Sequence, residues 1–399
     1  MTFPDRHSLV RHLNLQRVLE DLIDHSPTTR VEIAERTGLS KPTVNALVRK
    51  LALDGVVREE GRTSGGLGRS ATLYAFESTA RLVVGVDLGG TKVRVGVADL
   101  SGHVLSEHVE PTDRRGGRAV ISQIARIAQR LVQSEDYEWG RVVVTSLSAP
   151  GVFEPDSDHV DLAFNIPGFG NLALRRELET ALGTPIIIDN DVNLAAIGEQ
   201  WAGMARDVPD FAFVAVGTGI GMGLVTGGQL VRGARGAAGE IGYLPIGEDP
   251  FTHPEVRERG PLEEVAAASG IRAALRSALA SGLTSRLSPE ADVPEIFQAA
   301  SEDDPAARHV IDQEARWLAL AIGAIASVTD PSLFVLGGGI GSNPMLAPAV
   351  QAHLKTIAPF DIAVETSPLG DRASVIGAVA TALAIARDRL FNEIGGDDE

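Results

Sequence analysis

The chain has 399 residues, 44% hydrophobic and 22% charged, which predicts several ordinary globular domains and excludes a disordered or fibrous protein. It contains no cysteine, which excludes disulfides and thiolate metal sites and fits a reducing cytoplasm. The net charge of −17 argues weakly against nucleic acid, but it divides unevenly: residues 1–76 carry +2 and the remainder −19, so only the first part suits a polyanion.

The opening residues lack the apolar core of a signal peptide, and no apolar run reaches the ~18 residues of a membrane span. Leu9, Leu13, Leu15, Val18, Leu19, Leu22 and Ile23 are spaced as on a helix, which His25-Ser26-Pro27 ends. Thr29 to Glu32 has the capping-box form and opens a short helix through Thr37. Gly38-Leu39 turns the chain. Ser40 caps the next helix, Lys41 to Leu53, with Pro42 in its first turn. That helix buries Val44, Leu47, Val48 and Leu51 and exposes Lys41, Thr43, Asn45, Arg49 and Lys50. Two short helices joined by a glycine turn, the second opening on basic and hydroxyl groups, predict a helix-turn-helix. Gly55–Glu59 and Ala71–Phe76 read as strands around a basic, glycine-rich loop, 61–70, that suits a wing. Thr43, Asn45 and Arg49 are candidates for base edges; Lys41, Arg62 and Arg69 are candidates for phosphates.

After a joint at 77–81, Leu82 to Val97 reads as strand, glycine turn, strand. Asp87 at the strand end, followed by Gly89-Gly90-Thr91-Lys92, suits magnesium and phosphate. Arg118–Val132 reads as an amphipathic helix. The strand Val142–Leu147 runs into Ser148-Ala149-Pro150-Gly151, and Asn165 follows. Leu172–Leu182 is helical. The strand Pro185–Ile188 ends on Asp189-Asn190-Asp191-Val192-Asn193, and a helix follows from Leu194. Polar groups at the carboxyl end of a parallel strand lie where α/β proteins bind ligands. A carboxylate there, Asp191, can take a proton from an attacking hydroxyl; the plain alternative is that Asp191 and Asn193 cap the next helix.

A second hairpin, Phe211–Val216 and Gly221–Val225, turns at Gly217-Thr218-Gly219. A loop rich in glycine and alanine then leads to Glu240. Closely spaced glycines let backbone amides approach an anion. Leu262–Leu279 and Asp304–Val328 read as helices. The strand from Leu333 ends at Gly337-Gly338-Gly339, a turn without side chains. Val375–Leu390 is an alanine-rich helix, and an acidic tail, 392–399, is expected to fray.

These motifs together resemble the ROK family: repressors, open reading frames and sugar kinases of the actin-like ATPase superfold. The resemblance covers nearly the whole chain. It implies a winged helix-turn-helix at 1–77 and a two-lobed α/β actin-like ATPase (ribonuclease H-like) domain, with 81–192 and 375–399 in the first lobe and 193–374 in the second. It implies a sugar site of Gly151, Asn165, Asn190, Asp191, Glu240, Tyr243 and Glu263. It implies a nucleotide site of Asp87, Gly89, Gly90, Thr91, Lys92, Thr218, Gly219, Gly338 and Gly339. Kinases of the family continue Glu-x-Gly-His, a cysteine-rich zinc loop, and Gly-Cys-Leu-Glu. Here Glu240-Ile241-Gly242-Tyr243 and Gly260-Pro261-Leu262-Glu263 keep both carboxylates, put Tyr243 where the His stands, and have no cysteine, so no zinc is expected. His253 with Glu255 nearby reads as surface.

The expectation is a sugar-responsive transcriptional repressor, homo-oligomeric and cytoplasmic. Its partners would be operator DNA and a monosaccharide or sugar phosphate, with no membrane segment. An ATP-dependent sugar kinase, with Asp191 as base and Mg-ATP bound, is the alternative. A DNA-binding scaffold with an inert ATPase fold is a third. The convergent set Asn165, Asn190, Asp191, Glu240 and Glu263 speaks against it.

Overall fold

The computed structural model describes residues 6–63, 70–154, 159–161, 167–168, 172–247, 249, 251, 253 and 259–396; for 6–9, 152–154, 159–161 and 394–396 it describes the backbone alone. The chain begins with α1 (Arg6–His25), β1 (Thr28–Thr29), α2 (Arg30–Thr37), α3 (Lys41–Leu53), β2 (Val57–Arg62) and β3 (Thr72–Phe76). The predicted capping box is present: Thr29 caps α2, and the Glu32 carboxylate accepts the Thr29 N–H at 2.8 Å. Gly38 ends α2 at φ 70°, a left-handed backbone that suits glycine. Ser40 caps α3, and Val44, Leu47, Val48 and Leu51 are buried as the spacing requires. β1, β3 and β2 form a three-stranded antiparallel sheet, in which Thr28 pairs with Tyr74. Arg36, exposed on α2, ties α2 to α1 by donating to both oxygens of the buried Asp21 at 2.6 and 2.8 Å.

Next come β4 (Leu82–Leu88), β5 (Lys92–Asp99), β6 (Val104–Pro111), α4 (Gly117–Ser134), β7 (Val142–Ala149), β8 (Val152–Glu154), β9 (His159–Asp161), α5 (Leu174–Leu182), β10 (Ile186–Asn190) and α6 (Asp191–Ala202). The five-stranded sheet runs β10-β7-β4-β5-β6. β4, β5 and β6 form an antiparallel meander, whereas β7 and β10 lie parallel to β4.

The second half contains β11 (Phe211–Val216), β12 (Ile220–Thr226), β13 (Gln229–Leu230), α7 (Pro261–Ala266), α8 (Ala268–Ala280), α9 (Val293–Ser301), α10 (Pro305–Thr329), β14 (Leu333–Gly337), α11 (Gly338–Gly341), α12 (Leu346–Ile357), β15 (Val364–Thr366) and α13 (Ala373–Gly396). Its sheet runs β13-β12-β11-β14-β15, again a meander of three strands followed by two parallel ones. The same connectivity therefore occurs twice. The two glycine turns, 89–91 and 217–219, occupy the same place in each copy.

Alternate residues sort the first sheet's two faces. Val84, Val86, Val95 and Val97 pack under α4 and α5. Val83, Ala98 and Val144 face the other way and join Leu383 and Ala386 of α13 and Leu15, Val18 and Leu19 of α1 in one buried cluster. α6 and α13 cross where Gly198 meets Gly377. A Cβ on Gly377 would lie 1.7 Å from the Leu194 carbonyl oxygen, so only glycine lets these backbones touch.

Several expectations shift. α1 starts at Arg6 and ends at His25, beyond both predicted ends. The single helix expected over 262–279 is two, broken at Ala267, whose extended backbone (ψ 179°) interrupts the turn. α13 stays helical through Gly396, into the stretch expected to fray. α9 and α12 were not among the expected helices, although α9 opens on a capping box at Asp292 and Glu295.

Candidate functional site

Parallel register sets the first half of the site. Asp87 of β4 pairs with Ser148 of β7, and Ser148 with Asp189 of β10, so three polar groups stand side by side at the carboxyl ends. The Ser148 hydroxyl donates to Asp87 Oδ1 at 3.3 Å. The loop after Asp87 is clamped from β6: the Thr112 hydroxyl donates to the Gly89 carbonyl at 2.7 Å, and the Thr112 N–H to the Thr91 carbonyl at 3.0 Å. Gly90 and Thr91 are exposed at the tip.

Asn190 and Asp191 sit where β10 becomes α6. The helix is capped by Asn190, not by the pair Asp191 and Asn193: Asn190 Oδ1 accepts the N–H groups of Val192 and Asn193 at 2.9 and 3.2 Å. Asn190 Nδ2 donates to the Gly151 carbonyl at 3.0 Å, which ties two sugar-site candidates to each other. Asp191 is half-buried at the helix N-terminus, and its Oδ1 also accepts the Val192 N–H at 2.9 Å. Asn193 is buried and donates to Asp189 Oδ1 at 3.2 Å, so it is a structural residue.

The second half comes from loops held by close backbone contacts. The Met222 N–H donates to the Gly239 carbonyl at 2.8 Å, and a Cβ on Gly239 would meet the Met222 oxygen at 1.9 Å. This folds the loop back on β12 and delivers Glu240. Gly260, at φ 96°, packs its Cα against the Gly242 carbonyl and opens α7, which carries Glu263. Glu263 Oε2 accepts the Ile220 N–H at 3.0 Å. Tyr243 is 44% exposed at the rim. Gly217 lies against the Gly339 amide, so the turn bearing the exposed Thr218 faces the floor made by Gly338 and Gly339. Gly338 requires its positive φ of 81°, and the space above Gly339 is open.

The electrostatics mark these carboxylates as one group. Burial raises Asp87 to about 6. Burial and then the charge of Asp87 raise Asp191 to about 7, with Glu240 adding to it. Burial and then Glu263 raise Glu240, and burial raises Glu263. Burial, Glu240 and Glu263 raise the Tyr243 phenol. Desolvation and like charge both favour the protonated acid.

Lys92, expected at the nucleotide, forms an ion pair in the structure. Its Nζ lies 2.6 Å from Asp371 Oδ2, in a network that also joins Arg94, Glu107 and Arg372. It fastens β5 to the segment before α13. Thr112 and Asp371 were invisible in the sequence because they reach the loop from 20 or more residues away; Ser148 was in view as part of a turn. Asn165 and Arg69 lie outside the described residues. No group of three or more His, Cys, Asp or Glu able to hold a metal ion occurs among the described residues, and none of their helices is long and apolar enough to cross a membrane.

On the winged unit, Lys41, Asn45, Ala46 and Arg49 form the exposed face of α3, and Arg62 is exposed at the end of β2. Thr43 is half-buried. Its N–H donates to the Ser40 hydroxyl at 3.3 Å, and the two hydroxyls lie 2.8 Å apart, so it belongs first to the cap.

Residues 83–385 match the ROK family model, and residues 12–58 match a model described as winged helix-turn-helix DNA-binding. The chain is 30% identical over 309 residues to a glucokinase of Halalkalibacterium halodurans, covering 74% of this chain and 93% of the relative. It is 27% identical over 381 residues to the DNA-binding transcriptional dual regulator NagC of Escherichia coli, covering 93% and 92%. A crystal structure of a ROK family transcriptional regulator, a homolog of the E. coli MLC protein, shares the fold with a TM-score of 0.76 at 22% identity, over 97% of this chain and 99% of that one. With duplicated sheets, two glycine turns and a family model spanning residues 83–385, this chain belongs to the ROK family.

Proposed function

We propose that this protein is a sugar-responsive transcriptional regulator, a repressor that binds operator DNA through α3 and the wing and a sugar between the two sheets. The observation that carries this reading is the joining of both units in one chain and one core: α1 of the winged unit and α13 of the ROK domain share a buried cluster. The E. coli relative named as a DNA-binding regulator spans both units, whereas the glucokinase covers 74% of the chain. Asn45 and Arg49 read base edges; Lys41 and Arg62 hold phosphates. Asp191, Glu240 and Glu263 accept hydrogen bonds from sugar hydroxyls, Tyr243 borders the ring, and Asn190 with Gly151 keeps Asp191 in place. Operator binding puts the work in the cytoplasm, and paired half-sites call for a homodimer or larger assembly.

One observation favours a second reading, an ATP-dependent sugar kinase. Asp191, raised to about 7 by burial and the charge of Asp87, has the character of a general base near neutral pH. Gly89, Gly90, Thr91, Thr218, Gly219, Gly338 and Gly339 are the nucleotide candidates: Gly90, Thr91 and Thr218 are exposed and Gly339 has free space above it, whereas Gly219 lies against the Glu263 carboxylate; Asp87 would face the magnesium. The test for the primary reading is fluorescence anisotropy on DNA from upstream of the protein's own coding region, with and without a panel of monosaccharides and their phosphates. Operator binding that one ligand releases or strengthens supports it. Absence of specific binding under every condition removes it. Mg-ATP turnover over the same panel, abolished by Asp191→Asn, would establish the kinase instead.

A further inference from the structure

The loop that ends on Glu240 has little apolar burial to hold it: Arg232, Gly233, Ala234, Arg235 and Ala237 are all exposed. Such a segment keeps its place through a few specific bonds. Its far end is tied to its own sheet, where the Gly239 carbonyl accepts the Met222 N–H at 2.8 Å. Its neck closes where the Ala238 N–H donates to the Arg232 carbonyl at 3.2 Å. From that neck the Arg232 side chain reaches the other sheet. Its Nε and Nη2 both donate to Asp189 Oδ2, at 3.2 and 2.7 Å. Asp189 stands near the carboxyl end of β10, two residues before Asp191, and is largely buried. Its other oxygen is already fixed to the start of α6: Oδ1 accepts the Asn190 N–H at 2.8 Å and Asn193 Nδ2 at 3.2 Å. Arg232 therefore pulls on an anchored carboxylate.

We propose that Arg232 is a positioning residue for the sugar site: by gripping Asp189 across the cleft, it holds the loop that carries Glu240 against the corner that carries Asp191. This rests on the sugar-binding reading above. The grip has something to oppose. The charge of Glu240 is felt at Asp191, and two like charges favour separation of loop and corner. A hydroxyl that bridges Asp191 and Glu240 needs them held near one another before it arrives, because ordering a loose loop on binding costs affinity. Both donors of Arg232 meet one oxygen, so the bond needs a positive charge at that point and not the fork of a guanidinium. Half of the Arg232 side chain is exposed, so the attraction is open to screening by salt.

Isothermal titration calorimetry on the full chain tests this, with glucose, mannose, N-acetylglucosamine and xylose as uncharged probes at about 0.05 M salt. For the sugar that binds, Arg232→Gln should lower affinity by about three- to tenfold. Arg232→Lys should keep most of the affinity, and Arg232→Glu, which repels Asp189, should lose more than Arg232→Gln. The gap between the unaltered chain and Arg232→Gln should narrow as salt rises to about 0.5 M. A residue that merely packs would give neither the order by charge nor the narrowing. If Arg232→Gln does not fold, Asp189→Asn takes its place under the same criterion, since Asn keeps an oxygen for the Asn190 and Asn193 bonds. Affinity equal to that of the unaltered chain, a loss as large in Arg232→Lys as in Arg232→Gln, or a gap indifferent to salt overturns the proposal. Failure of every sugar to bind the unaltered chain is a different outcome. It removes the sugar-binding reading itself, and this inference with it.

Discussion

Gly377→Ala tests the closest contact in the fold. Taken alone, α13 would gain from the change, since Ala is favoured over Gly in a helix interior by about 1 kcal/mol. The crossing with α6 decides otherwise. A Cβ at 377 would stand 1.7 Å from the Leu194 carbonyl oxygen and 2.5 Å from its carbon, and side-chain carbons essentially never approach within 3.0 Å. The obstacle is backbone, so no rotamer relieves it. The helices must part by about 1.3 Å along a tightly packed seam, and overpacking of this kind costs about 1–3 kcal/mol, more when backbone must move. Net destabilisation of about 2 kcal/mol follows after the propensity gain is subtracted. Thermal unfolding followed by circular dichroism should show a fall of about 4–8 °C. Gly198→Ala should behave alike, because its Cβ would meet the Ala373 oxygen at 2.2 Å. A Tm equal to or above that of the unaltered chain would mean that propensity governs this site and that the helices do not touch as described.

Three further outcomes follow from the same geometry. Asp191→Asn should stabilise the ligand-free chain, and more at pH 8 than at pH 5. Its carboxyl is raised from 3.8 to about 7, so the folded chain holds an extra proton between those values and stability falls as pH rises through them; a gain that does not grow with pH, in Tm measured across the range, would contradict this. Glu314 is 2% exposed in α10, with both carboxylate oxygens unpartnered among the described residues, and burial alone holds its carboxyl well above the usual value. Glu314→Leu should therefore raise stability at pH 8 by about 1–3 kcal/mol in urea unfolding, whereas a loss would reveal a partner for it. Lys41→Ala should weaken binding to all DNA alike and reduce the slope of log affinity against log salt by about one per protomer, while Asn45→Ala should weaken only the preferred operator; an unchanged salt slope would remove Lys41 from the phosphate contacts.

Local chemistry was legible where the sequence carries its own geometry. Thr29 and Glu32 announce a cap because both partners lie within one turn, and the structure shows the reciprocal bonds. Glycine turns at 89–91 and 217–219 were readable because a backbone that must bend sharply needs glycine. The site's scaffolding was not readable. Asp371 reaches Lys92 across 279 positions, and nothing near Lys92 signals that its charge is already answered. The cap of α6 was left open between a ligand contact and a cap by Asp191 and Asn193. Asn190, Asp191 and Asn193 are all competent caps by residue type, and in the structure Asn190 takes the position. Thr43 looked free for DNA because its bond to Ser40 belongs to a cap whose second member is not fixed by spacing alone.

α13 connects the two functions physically. At its N-terminal end the Ser374 hydroxyl donates to the Asp191 carbonyl at 3.2 Å, one residue's backbone from the proposed sugar contact. Further along, Gly377 touches α6, the helix that begins at Asp191. At the far end, Phe391 packs edge-on against His12 of α1, with ring centroids 4.8 Å apart, and His12 faces Asp388 at 3.3 Å. Between them Arg387 donates to the Leu100 carbonyl at 2.7 Å and feels the charges of Glu20 and Asp24 on α1. From Ser374 to Phe391 is about 25 Å of continuous helix. A helix packed at both ends does not absorb a displacement within itself; it passes it on. A sugar that draws Asp191 toward Glu240 and Glu263 must therefore either leave α13 where it is or move α1 with it. Only the second case gives the ligand different affinities for two DNA-binding arrangements, which is the sole route by which it can regulate.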